Sequence, residues 1–95
     1  MTNTPPAPAT RSTAATLISA TLYLMSAYTT HGCPRLAIMI RRHLDLLAAH
    51  PDADPLLAST SVHLIERTWA QADAQARKAL APLAQAQARA GDALH

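Results

Sequence analysis

The sequence predicts an all-α protein, a small antiparallel bundle of three main helices plus a short C-terminal helix. Between Pro55 and Leu83, apolar residues recur at alternating spacings of four and three, which places them along one stripe of an α-helix. Pro34 and Pro55 are each typical of the first position of a helix, where the missing N–H of proline costs nothing. A chain of 95 residues is expected to form one domain at most.

The N-terminal part predicts a tail and a first helix. Residues 1–11 are rich in proline and are expected to form a disordered tail, followed by a single helical-bundle domain over residues 12–95. The first helix is expected to begin at Ser12 or Thr13, either of which can cap it, and to continue to about Tyr28. Because this segment is apolar and carries no Asp, Glu, Lys or Arg, we expect it to be the central helix, covered on most sides.

A second helix is expected from Pro34 to about Ala49. Gly32 can adopt the left-handed conformation that ends the first helix, and Cys33 would then cap the second. One side of this helix is apolar. The other side carries charged residues, namely Arg35, Arg41, Arg42 and Asp45.

The third helix is expected to begin at Pro55, with Asp54 as its cap. Pro82 falls inside the helical pattern, where proline removes a hydrogen bond and costs about 3 kcal/mol. We therefore expect a kink or a break near Ala81, followed by a short last helix that Gly91 terminates.

The apolar stripe on the third helix predicts an interface. Its members are Ala58, Val62, Ile65, Trp69, Ala72, Ala76, Ala79 and Leu83. The chain is 49% hydrophobic, but much of this is alanine, with one Trp, two Tyr and no Phe, so a monomeric core would be thin. Self-association adds buried surface without adding chain, and a homodimer through this stripe and the Ala-rich end is expected. The opposite face, which includes Asp73 and Arg77, is expected to be solvated.

The sequence favours an adaptor or regulatory module that binds another protein through a helical surface, without catalysis or a cofactor. The six acidic residues are scattered and no Gly-rich phosphate loop is present, so an enzyme is not expected. A single cysteine fits a reducing cytoplasm. The apolar run from Ala14 to Tyr28 is interrupted by hydroxyl residues and is shorter than the roughly 20 residues of a membrane span, so no membrane association is expected.

Two other functions are compatible with the sequence. Arg35, Arg41 and Arg42 could bind phosphate, as in a DNA-associated regulator, although a formal net charge of +2 is a weak attraction for nucleic acid. His31 and Cys33 could contribute to a metal or haem sensor, because the Cys33-Pro34 pair resembles the Cys-Pro dipeptide of haem-responsive proteins. No further metal ligands at a recognisable spacing accompany them.

Overall fold

The computed structural model describes residues 13–93, and helices form nearly all of this range. No strand occurs within it, which confirms the all-α class. The elements in chain order are α1 (Ala14–His31), α2 (Pro34–Ala48), α3 (Pro55–Leu64), a π-helical turn (Ile65–Trp69) and α4 (Ala70–Ala93). Because α3, the π-helical turn and α4 follow one another without interruption, they form one long helical segment. The predicted tail over residues 1–11 lies outside the described residues.

Local capping interactions fix the predicted helix starts. The Thr13 hydroxyl accepts a hydrogen bond from the Thr16 N–H at 3.2 Å, and the Asp54 carboxylate accepts one from the Leu57 N–H at 2.8 Å. Gly32 has a φ of 62°, which favours glycine, and its N–H donates to the Tyr28 carbonyl at 2.7 Å. The predicted starts of α1, α2 and α3 are therefore confirmed.

The central helix is α2, so the prediction that α1 is central is wrong. The side chains of Ala37, Ile40 and Leu44 are almost fully buried, and α2 packs against α1, α3, the π-helical turn and α4. By contrast, Leu22 and Tyr23 on α1 are 62% and 74% exposed. The absence of charge on α1 was a misleading sign of burial, because Ser and Thr hydroxyls line its outer side instead.

The π-helical turn changes which residues of the long segment face α2. The Ala70 N–H donates to the Ile65 carbonyl, five residues earlier, so this turn holds about one residue more than an α-helical turn. Ser61 and Asp73 would be about 120° apart on an uninterrupted α-helix. One extra residue removes about 100° of that difference, so both side chains face inward. Asp73, predicted on the solvated face, is only 6% exposed.

Helix α4 continues through Pro82 to Ala93. The expected break near Ala81 is not found, Gly91 does not end the helix, and a separate short C-terminal helix is not confirmed. Residues 81–91 are all exposed. The last part of α4 therefore extends past the packed helices.

Among the helices over residues 13–93, none has both the length and the apolar character that crossing a membrane requires.

Candidate functional site

An apolar groove runs between α1 and α3, with α2 as its floor. It has a volume of about 130 Å³ and is open on one side. The residues that line it are Ile18, Thr21, Leu22 and Met25 of α1, Leu44 and Leu47 of α2, and Leu57, Thr60, Ser61 and Leu64 of α3. We refer to this set as the apolar groove. No charged side chain is among them.

The two buried hydroxyls of the groove bond to their own helices. The Thr21 hydroxyl donates to the Leu17 carbonyl at 2.6 Å, and the Ser61 hydroxyl donates to the Leu57 carbonyl at 2.8 Å. Their donors are therefore satisfied without a ligand, and the groove presents mainly carbon atoms. Such a surface suits an apolar side chain.

The two helices that wall the groove carry none of the chain's 14 charged residues. Neither α1 nor α3 contains Asp, Glu, Lys or Arg. Large apolar side chains on these helices nevertheless face water, because Leu56 is 77% exposed and Val62 is 42% exposed, in addition to Leu22. Designed soluble domains are given surfaces with about 25–35% charged residues, and an exposed apolar region without charge is typical of an interaction site.

The residues of the predicted interface stripe differ in how deeply the structure buries them. Ile65 and Ala76 are buried, Ala58, Trp69 and Ala72 are partly buried, and Val62, Ala79 and Leu83 are exposed. The Trp69 ring meets the Tyr28 ring edge to face, with centroids 5.4 Å apart and planes at 73°. The middle of the stripe thus belongs to the chain's own core. That the exposed members form an interface stays a prediction.

Arg41 of α2 forms a network with α4 that the sequence did not indicate. The Asp73 carboxylate accepts hydrogen bonds from Arg41 Nη1 at 3.2 Å and from Arg77 Nε at 3.0 Å. Arg41 Nε also lies 3.3 Å from Asp45 Oδ2 and forms an ion pair with it, but the two atoms are not oriented for a hydrogen bond. The carboxylates already neutralise much of the charge on Arg41.

A polar cleft of about 300 Å³ lies over this network and is lined by Ile38, Arg41, Arg42, Asp45, Asp73 and Arg77. Arg35 is exposed and does not line the cleft, so the structure places only two of the three predicted phosphate-binding residues there. Three arginines and two carboxylates leave one net positive charge in the cleft, a weak attraction for nucleic acid.

The predicted metal candidates, His31 and Cys33, lie at the connection between α1 and α2. His31 is exposed and Cys33 is partly buried. Cys33 is the residue that caps α2, but its side chain makes no capping hydrogen bond. Over the part of the chain that the structure describes, no three His, Cys, Asp or Glu side chains lie close enough together to hold a metal ion.

The chain matches no protein-family model, no curated protein and no solved structure. Its function is therefore inferred from the groove and its surroundings.

Proposed function

We propose that this protein is a small helical interaction module that self-associates and acts as an adaptor or regulator without chemistry of its own. The observation that supports this proposal is the apolar groove between two helices that carry no charged residue. When a partner covers exposed leucines beside an uncharged groove, the free energy falls by about 25 cal/mol for each Å² of apolar surface removed from water.

A homodimer fits this surface. In a dimer with twofold symmetry the same patch is buried on both copies, so an uncharged patch meets another one and no charge loses its water. Short connections, Gly32 to Cys33 and Ala49 to Asp54, join the helices. They favour an antiparallel bundle in each copy. A cytoplasmic location is part of the proposal and follows from the single cysteine.

Light scattering coupled to size exclusion tests the proposal on three forms of the chain. The wild type is expected to form dimers at high micromolar concentration. Leu22→Lys places a charge at the rim of the groove and is expected to raise the dimer dissociation constant by at least tenfold, since an unpaired charge costs several kcal/mol when a partner covers it.

Leu46→Lys is the matched control. Leu46 is a leucine of similar exposure, 50%, on α2 and does not line the groove. It should leave the dissociation constant unchanged. A wild type that stays monomeric throughout, or equal effects of the two substitutions, would contradict the proposal.

The alternative function, a DNA-associated regulator, has less support. It requires cations free to contact phosphate, and Arg41 is held between Asp45 and Asp73. Arg42 and Arg35 remain on the exposed side of α2. This alternative predicts salt-dependent binding to duplex DNA that decreases when Arg42 is replaced by Gln.

A further inference from the structure

The C-terminal part of α4 is a helix without a partner in its own chain. Residues 81–91 are all exposed, and Leu83, at 56% exposure, is the one large apolar side chain among them. The helix persists there in spite of Pro82, which costs about 3 kcal/mol. In proteins most of the stability of a helix comes from packing of its apolar side, so packing against another surface would stabilise this segment.

We propose that residues 80–90 of α4, here called the α4 tail, bind in the apolar groove of a second copy, with Leu83 entering the groove. This inference deepens the proposed self-association and depends on it. The α4 tail of each copy would bind in the groove of the other copy. Both grooves of the dimer would then be filled, and no further copy could add to it.

The tail and the groove match in charge. Between Lys78 and Arg89 the chain contains no charged residue, and no charged residue lines the groove. Arg89 is the one charged residue of the tail and lies near its end, so docking of residues 80–88 requires no charged side chain to lose its water. The polar cleft over Arg41 and Asp73 offers the tail no comparable surface.

The tail and the groove also match in size. Eleven helical residues extend about 16 Å, and the α3 wall of the groove, Leu57–Leu64, extends about 12 Å. The groove volume of about 130 Å³ is close to that of an apolar cavity of about 150 Å³ that holds one benzene molecule. It therefore suits one apolar side chain. The tail contains two leucines, of which Leu80 is partly buried and Leu83 is exposed, so Leu83 is the one available to enter the groove.

The position of Leu83 along the helix is compatible with exchange between two copies. If the two long segments run antiparallel and Leu83 lies opposite Ser61 of the other copy, the twofold axis passes near Ala72, midway between them in sequence. Ala72 is partly buried in a shallow hollow with Tyr28 and Gly32. A small side chain there lets two helices approach closely.

Disulfide trapping between two different chains tests this docking. Both chains carry Cys33→Ser, which removes the native thiol and keeps a good capping residue on α2. One chain then carries Leu83→Cys and the other Thr60→Cys, both at exposed positions. After mixing and mild oxidation, most of the protein is expected to become the mixed disulfide, which requires Cα atoms within about 7 Å.

The matched control replaces Leu83→Cys by Ala81→Cys. Residue 81 is also exposed but lies about 160° around the helix from residue 83, so it should cross-link several times less. If the chains sediment as dimers and residues 83 and 60 do not cross-link, tail docking is wrong while self-association stands. If the wild type and the cysteine-substituted chains remain monomeric at all concentrations, both proposals are wrong.

Discussion

Asp73 links two helices through one carboxylate. Its oxygens accept from Arg41 on α2 and from Arg77 one turn later on α4, and its side chain is 8% exposed. A buried carboxylate is stable only when it is paired and hydrogen bonded, and both conditions are met here. This pairing helps to hold the start of α4 against α2.

The substitution Asp73→Asn tests this role. It keeps the shape of the side chain but removes its charge, so Arg41 and Arg77 lose their partner. We expect the free energy of unfolding in urea to fall by about 1–2 kcal/mol, a value kept small because both arginines are partly exposed. Asp45→Asn, at a carboxylate that is 54% exposed, is the control and should cost less than about 0.5 kcal/mol. Equal losses for the two variants would contradict the assigned role.

The buried position of Asp73 could not be predicted from the sequence. Its charge predicts a solvated position, and an α-helical count from Ser61 places it on the outside. Its partner Arg41 belongs to another helix, so no local pattern connects them. Asp54 and Thr13 were predictable because their partners lie three residues away.

The π-helical turn determines which residues of the long helical segment face α2. Up to Ser61 the inward residues follow one α-helical stripe, and beyond Trp69 they follow another. The apolar stripe predicted from spacings of four and three assumed one continuous α-helix, so it includes Ile65 and Ala76, which lie in the chain's own core, but not the buried Ser61 and Asp73. No short sequence pattern marks a π-helical turn, because its formation depends on packing on both sides.

Deletion of Arg67 tests whether the turn absorbs one extra residue. Arg67 is exposed within the turn. Without it, Ser61 and Asp73 are eleven residues apart, about three α-helical turns, so an ordinary α-helix aligns them. We expect cooperative unfolding with a change of no more than about 1 kcal/mol.

Deletion of Gln75 is the matched control, because Gln75 is exposed but lies in α4 beyond the π-helical turn. It rotates Ala76 and Leu80 by about 100° relative to Asp73. The control should lose much more stability than the Arg67 deletion. If the Arg67 deletion instead lowered the free energy of unfolding in urea more than the Gln75 deletion, the π-helical turn would not determine which residues of α4 face inward.

Pro82 weakens α4 locally. Replacing it by Ala restores the hydrogen bond to the Lys78 carbonyl and removes up to about 3 kcal/mol of strain and lost propensity. We expect slower amide hydrogen exchange over the α4 tail, measured by NMR, with little change near Ile40. Pro34→Ala, at a first helical position, should change exchange little. Unchanged exchange in the tail of the Pro82→Ala variant would indicate that this proline does not limit the helix.

Over residues 13–93 the molecule has the form of packed helices with one helix extending beyond them. The described residues measure 60 × 35 × 24 Å, and the core centres on Ile40, Leu44 and Leu47. A small core of this kind supplies modest stability to a chain of this length. Burial of the apolar groove and the α4 tail in a dimer would add to it.

The sequence predicted the class of this fold but not the position of the apolar groove. The all-α class follows from local spacing and caps. The groove depends on how α1 and α3 lie on α2, which no residue pattern within one helix contains. One signal was present in the composition, since neither α1 nor α3 contains a charged residue, but for α1 the lack of charge predicts burial within the monomer.

The most direct test of the central claim is a dilution series followed by ¹⁵N–¹H NMR. On dilution from high to low micromolar concentration, resonances of Leu22, Leu57 and Leu83 and their neighbours should shift together with one dissociation constant. Arg35 and Arg42 on α2 should not shift. A spectrum that does not depend on concentration, or shifts confined to the arginines of α2, would contradict the claim that this chain associates through its uncharged groove.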